Sequence, residues 1–261
     1  CVLKWVNSHP GNPKIGLPAV MAILILSDPK TGFPFSIMDA TYLTAVRTGA
    51  AGAVAAKYLA DKNSNVVSLV GCGVQAVTQL QMLRSIFPVK EVRVWGHQPN
   101  LSEGFIKKMK IKNERMIQSS SIKECVLSSD IIVTTTPSRK PIVRHEWVKP
   151  GAHINAMGAD APGKEELDPQ ILQEATIIID DWEQASHSGE INVSLSKKLI
   201  TKRNIYSTLG EIVAKKKKFS RKAGQITIFD STGLAIQDAA IAQLVYNTAK
   251  RMNTGQHIRL F

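Results

Sequence analysis

The stretch Val66-Val67-Ser68-Leu69-Val70-Gly71-Cys72-Gly73-Val74-Gln75-Ala76 decides the fold. Its first five residues, apolar except for Ser68, have the length and β-branched content of a strand buried on both faces. A glycine turn follows and opens a run with helical character. Gly71-x-Gly73-x-x-Ala76 matches the dinucleotide fingerprint: the first glycine makes the tight turn, Gly73 leaves room for a pyrophosphate beside the backbone, and Ala76 lets helix and strand pack closely. The free N–H groups of Val74, Gln75 and Ala76 at the helix start suit phosphate charge. Alone the glycine spacing is a weak signal. Its place between a strand and a helix, with a second strand at Glu91 to Trp95 completing a βαβ unit, makes a dinucleotide site the expectation over a merely structural turn.

Outward from this unit the same alternation continues. Helical patterns at Val74 to Ile86, Leu101 to Lys110 and Ile122 to Leu127 lie between short strands at Glu91 to Trp95, Met116-Ile117 and Ile131 to Thr135. Further strands are expected at Ala152 to Ala156, Thr176 to Asp180 and Ile226 to Phe229. Such alternation implies right-handed crossovers and a parallel sheet covered on both faces, a doubly wound (Rossmann) α/β domain. The first residues read differently. Leu3 to Val6, Val20 to Leu26 and Phe33 to Met38, separated by Pro/Gly/Asn clusters, predict part of an antiparallel sheet. A proline-free, alanine-rich helix is expected from Asp39 to Leu59, capped by Asp39 or Thr41, with Gly49 and Gly52 permitting close packing. A long helix from Leu234 to Met252 is expected to return to this first part. The boundaries drawn are therefore 1–60 with 234–261 for a smaller α+β domain and 61–233 for the dinucleotide-binding domain.

Composition narrows the function classes. With 261 residues, 44% of them hydrophobic, the chain can bury a substantial core. No apolar run approaches the roughly 20 residues that cross a bilayer, and no signal-peptide pattern opens the chain, so a cytoplasmic protein without membrane association is expected. Three widely spaced cysteines and six histidines without zinc-ligand spacing indicate neither a disulfide framework nor a metal site. The net charge of +12 invites a nucleic-acid reading. Its distribution argues otherwise, because ten basic residues between Ser196 and Lys222, including Lys215 to Lys218, face Glu211 alone. That stretch lacks interleaved aromatics and matches no DNA-reading motif, so it is expected to be a solvated loop and not a nucleic-acid surface.

In a doubly wound sheet, ligands gather at the carboxyl ends of the strands. That rule selects Thr134, Thr135 and Thr136 after one strand, Met157 and Asp160 after another, and Ser231 and Gly233 after a third. Each also reads as a turn or cap residue. Asp160 stands beside the turn Pro162-Gly163, where it can serve as an acid or base or only cap the turn. The strand that would carry a ribose-binding carboxylate ends instead in Trp95-Gly96-His97-Gln98. Glu91 stands at the wrong end of that strand, and Arg93 should alternate away. NAD or NADP is thus expected as cofactor, with His97 near the ribose.

At Lys4-Trp5-Val6-Asn7-Ser8-His9-Pro10, Arg47-Thr48-Gly49-Ala50, Gly71 to Ala76, Gly158 to Leu167 and Phe229-Asp230-Ser231-Thr232-Gly233, the chain resembles the ornithine cyclodeaminase/mu-crystallin family. The resemblance runs from end to end, and within the family the wording is most similar to archaeal-type alanine dehydrogenases, with ornithine cyclodeaminases second. It implies a homodimer built through the substrate domain and an active site between that domain and the Rossmann domain. It also implies oxidoreductase chemistry on a small amino or imino acid, by an alanine dehydrogenase, an ornithine cyclodeaminase or a ketimine reductase. Lys4 matches the family lysine near the substrate, Arg47 the arginine that binds the substrate carboxylate, and Asp160 the acid that serves cyclodeaminases as general base. By residue chemistry alone, Arg47 and Lys4 read equally well as surface residues. Family members ordinarily carry several dozen residues before the lysine motif, including another carboxylate-binding arginine, so the substrate domain is expected to be partial.

Overall fold

The computed structural model describes residues 1–9 and 11–259, and Pro10 of the lysine motif lies outside the described residues. The chain divides into two compact units, Cys1–Arg47 with Leu234–Phe261, and Thr48–Gly233.

The smaller unit begins with three antiparallel strands, β1 (Val2–Ser8), β2 (Val20–Ser27) and β3 (Pro34–Asp39), in the order β1-β2-β3. The alternation predicted from the sequence sets one face inward. Ala22, Leu24 and Leu26 of β2 form a small core with Ala40 and Ala242, against which Val2, Phe35, Met38 and Tyr246 pack. The opposite face carries Leu3, Trp5, Ile23 and Ile37, all exposed, with Trp5 paired to Ile23 across the β1–β2 ladder. Helix α1 (Thr41–Leu59) starts where expected: the Asp39 carboxylate accepts the Thr41 N–H at 2.6 Å.

The division between units falls inside α1, at Arg47, and not after residue 60 as drawn from the sequence. Ala51, Ala55, Ala56 and Leu59 belong to the core of the larger unit. Gly49 and Gly52 explain how. A Cβ on Gly49 would lie 2.6 Å from the Thr78 carbonyl oxygen, and one on Gly52 would strike the Gln79 amide, so both glycines admit a neighbouring helix at backbone contact.

That neighbour is α2 (Val74–Arg84), which follows β4 (Val66–Val70). The chain then runs through β5 (Glu91–Trp95), α3 (Pro99–Met109), β6 (Arg115–Gln118), α4 (Ile122–Val126) and β7 (Ile131–Thr134). Next come β8 (Arg139–Val143), β9 (His153–Ala156), β10 (Glu165–Leu167), α5 (Pro169–Glu174) and β11 (Thr176–Ile179). It closes with α6 (Trp182–Ser188), α7 (Asn192–Ser196), β12 (Ile205–Thr208), α8 (Leu209–Val213) and β13 (Thr227–Asp230). Helix α9 (Ala235–Met252) belongs to the smaller unit.

Eight strands form one parallel sheet in the order β12-β11-β13-β9-β7-β4-β5-β6. From β4 the chain steps outward to β5 and β6, then returns to the other side of β4 with β7. The strand order therefore reverses between β4 and β7, where the carboxyl ends open a crevice. This is the predicted doubly wound sheet. The paired strands β8 and β10, and the edge strand β12, are additions that the sequence pattern did not disclose.

Buried polar groups tie this sheet to α1. His153 is fully buried, its ring nitrogens bonded to Thr227 Oγ1 and Asn155 Oδ1, both at 2.9 Å. Burial holds its pKa down to about 3, so the ring stays neutral. Asn155 Nδ2 donates to the Gly52 carbonyl at 3.1 Å and to Gln79 Oε1 at 3.3 Å, and Gln79 Nε2 donates to the Thr48 carbonyl at 3.0 Å. Replacing Asn155 by Ala would leave several of these buried groups without partners. An Asn155→Ala chain is expected to lose roughly 3 kcal/mol of stability, read from the shift in its urea unfolding midpoint.

Candidate functional site

In the larger unit the site is built on the carboxyl edge of the sheet. A ladder of backbone bonds links the turns there: Gly71 N donates to Trp95 O at 2.9 Å, Thr135 N to Val70 O at 2.9 Å, Met157 N to Thr134 O at 3.0 Å, and Ser231 N to Ala156 O at 3.2 Å. The structure thus brings Gly71, Thr134, Thr135, Met157 and Ser231 onto one edge, as the sequence rule requires. Gly71 has φ +107°, and a Cβ there would lie 2.6 Å from Thr135 Oγ1. Only glycine fits both the backbone and the space.

Gly73 precedes the first turn of α2, and the space where its side chain would project is open. No side chain caps this helix start. Val74 is exposed, Gln75 is half-buried with an Oε1 that has no hydrogen-bond partner, and Ala76 is fully buried against the core. Uncapped N–H groups beside an open glycine form a cradle for an anionic group. Past β5 lies a cavity of about 350 Å³, lined by Trp95, Gly96, His97, Pro99, Ser102, Gln118, Ser119 and Ser120. It contains no carboxylate. His97 borders it with an exposed ring, while Arg93 turns away, donating from Nε to Glu91 Oε1 at 2.7 Å.

The remaining predicted residues differ in how they meet the edge. Thr135 Oγ1 is buried and unpartnered, whereas Met157 is 7% exposed and its side chain belongs to the core, so that only its backbone reaches the edge. Thr136 is held by a buried carboxylate, that of Glu166, which accepts from its N–H and its hydroxyl, both at 2.7 Å. Asp160 is half in solvent, with Oδ1 paired to Lys164 Nζ. Gly233 N and Ser231 Oγ donate to Asp180 Oδ2 at 2.9 and 2.6 Å.

In the smaller unit Lys4 and Arg47 meet at an acid that the sequence reading did not single out. Lys4 Nζ lies 2.7 Å from Asp238 Oδ2, and Arg47 Nε lies 3.2 Å from Asp238 Oδ1. Arg47 also donates from Nη1 to Gln237 Oε1 at 3.3 Å. All three ionic side chains are close to buried, at 13%, 11% and 7% exposure for Lys4, Arg47 and Asp238, which removes the reading of Lys4 and Arg47 as surface residues. Two cations share one carboxylate, so this cluster keeps a net positive charge. Asp238 was legible only as an acid in the first turn of α9, a place where helix-dipole stabilisation gives an ordinary explanation.

The family model for the ornithine cyclodeaminase/mu-crystallin family matches residues 1–253. The chain belongs to that family. Among its relatives is an alanine dehydrogenase of Archaeoglobus fulgidus, 52% identical over 99% of this chain and 80% of the relative. A solved archaeal alanine dehydrogenase dimer with bound NAD superimposes with a TM-score of 0.96 at 51% identity, over 100% of this chain and 81% of that one. The Thermococcus litoralis Delta(1)-pyrroline-2-carboxylate reductase, solved with NADH and L-proline, gives 0.95 at 36% identity, over 98% and 80% of the two chains.

The exposed lysine run Lys215 to Lys218 lies outside the features just described, and among the described residues no group of three His, Cys, Asp or Glu is placed to hold a metal, nor is any helix long and apolar enough to cross a membrane. Removing the shared acid of the smaller unit should expose how strongly it binds its two cations. Asp238→Asn is expected to cost roughly 3 kcal/mol in urea unfolding, with a smaller additional loss in a Lys4→Met background than in the wild type.

Proposed function

We propose that this family member is an NAD-dependent oxidoreductase that interconverts alanine and pyruvate. The observation that carries the reading is the 52% identity to an alanine dehydrogenase across nearly the whole chain, joined to an intact glycine turn. The reaction is alanine, NAD+ and water giving pyruvate, ammonium, NADH and a proton.

The residues fit the cofactor. The cradle at Gly73 to Ala76 would take the pyrophosphate, and the cavity beside Trp95, Gly96 and His97 would take the adenosine end. Thr134, Thr135, Thr136, Met157, Ser231 and Gly233 would border the rest of the dinucleotide along the edge. Solved relatives hold NAD or NADH, and a cavity without a carboxylate also leaves room for the 2′-phosphate of NADP. When bound, the nicotinamide supplies the hydride acceptor.

The chain's own residues supply charge and proton handling. Arg47 offers a planar fork to the substrate carboxylate, and Lys4, held by Asp238, adds a second positive charge and can exchange a proton with the substrate nitrogen. Asp160 is the base that takes a proton from water. Its pairing with Lys164 orients its exposed carboxylate. Reduction of a cyclic imine is the second reading, favoured by the similarity to the pyrroline-carboxylate reductase; ornithine cyclisation is the third, on the family alone. The active unit is a homodimer joined through the exposed face of Leu3, Trp5, Ile23 and Ile37, as the solved alanine dehydrogenase is a dimer.

The purified chain is expected to form NADH and ammonia in equal amounts from alanine. Ammonia from ornithine without net NADH would replace this reading with a cyclodeaminase. Asp160→Asn should lower kcat about a hundredfold. Gly71→Ala should raise the dissociation constant for NADH about tenfold or more, measured by nicotinamide fluorescence.

Light scattering tests the dimer: Trp5→Glu with Ile37→Glu should give a monomer. A wild-type chain that is itself monomeric would overturn the dimer reading.

A further inference from the structure

Glu166 is fully buried and is used by none of the steps above, yet its carboxylate reaches two of the turns that matter to them. Oε1 accepts from the Thr136 N–H and hydroxyl, both at 2.7 Å, and Oε2 accepts from the Gly158 N–H at 3.0 Å. Thr136 follows β7, and Gly158 follows β9 and begins the loop that carries Asp160. Glu166 itself stands at the far end of that loop, in β10. One carboxylate therefore closes the Asp160 loop on itself and fastens it to the neighbouring turn.

The rest of the surroundings support that role. Gly158 has no room for a Cβ, which would strike both the Glu166 carboxylate and the Thr136 carbonyl. Inside the loop, Gly163 N donates to Asn192 Oδ1 at 3.0 Å and Asn192 Nδ2 donates back to the Lys164 carbonyl at 2.9 Å. Behind Glu166, its own N–H and that of Leu167 donate to the Glu190 carboxylate at 2.8 and 2.7 Å. Glu190 N in turn donates to Asp230 Oδ1 at 2.9 Å, at the end of β13. Position is thus handed from β13 through Glu190 to Glu166 and on to the Asp160 loop.

We propose that Glu166 is a positioning residue, a buried clasp that holds the Asp160 loop against the Thr136 turn so that Asp160 sits where its proton transfer is productive. The proposal rests on the reading of Asp160 as the acid–base group. It demands a carboxylate and not merely a polar side chain. Each turn presents a backbone N–H to a different Glu166 oxygen, and an amide has one acceptor atom, so Glu166→Gln would set an NH2 against one of the N–H groups.

Four measurements on the full chain test it. In Glu166→Gln, hydrogen exchange at the Gly158 or Thr136 amide should quicken about tenfold or more. Its kcat should fall about a hundredfold, by more than its KM for NAD rises. Joined to Asp160→Asn, it should cost almost nothing further, because the residue it serves is already gone. Gly158→Ala, which forces the clasp apart without touching its charge, should repeat the pattern, and it carries the test if the Gln variant does not fold. A folded Glu166→Gln with near-normal kcat, or losses that multiply in the double variant, would overturn the inference. If Asp160→Asn alone were fully active, the acid–base reading would fail, and unchanged amide exchange in Glu166→Gln would separately remove the clasp.

Discussion

All eight strands of the large sheet end on the same edge, and the loops that leave it carry backbone N–H groups with no further strand to pair with. A buried donor without a partner costs about as much as a lost hydrogen bond. Water cannot serve everywhere, because the turns are packed together, and capping each loop with bulky side chains would fill the crevice. The molecule solves this with carboxylates. Glu166 serves the turns after β7 and β9, Glu190 serves β10, Asp230 serves the segment before α7, and Asp180 serves the turn after β13. Each accepts N–H bonds from a neighbouring loop, and each lies on a different loop or strand end, so the part of the edge around β11, β13, β9 and β7 is cross-linked.

Gathering acids in a dry interior opposes their ionisation. Burial lifts Asp230 to about 7 and Glu166 to about 6, and burial followed by the charge of Glu166 lifts Glu190 well above the usual range. The backbone N–H groups they accept from pull in the opposite direction, favouring the charged forms, without cancelling the effect of burial. Glycine completes the arrangement. At Gly158 and Gly189 a Cβ would collide with the Glu166 and Asp230 carboxylates, so these positions serve carboxylate approach.

Periodicity made the scaffold readable. β4 and β5 stand at the limits drawn from the sequence, and the antiparallel start, the long α1 and the final helix follow their hydrophobic patterns. The glycine turn was legible because its geometry demands particular residues at a fixed short spacing. What escaped the sequence shares one property: its meaning lies in partners remote along the chain. Asp238 pairs with residues 4 and 47, Glu166 with 136 and 158, Asp230 with 190 and 191. Read singly, each acid resembles a cap or a loop residue. The short β8–β10 pair has the same origin, since three-residue Glu165–Leu167 carries no alternation to detect. The domain boundary moved into α1 because Gly49 and Gly52 are contact points for α2, which a helix pattern alone does not disclose.

The two groups of charged residues divide the recognition problem unequally. Lys4, Arg47 and Asp238 carry one net positive charge in a poorly solvated cluster, which matches a single carboxylate and is indifferent to what the rest of the substrate is. Alanine, proline and ornithine all present that carboxylate, and the family name and the solved relatives span such substrates. In its proposed role this cluster would hold any such carboxylate and would not select among these substrates. Selection must come from groups that meet the other end of the substrate and from how water is handled beside it. In its proposed role Asp160 is the residue whose task would differ between reactions, because hydrolytic release of ammonia needs an activated water while reduction of a preformed imine needs, besides the hydride, only a proton. In the proposed arrangement, the bonds of Glu166 to Thr136 and Gly158 would set where that acid stands relative to the neighbouring turn.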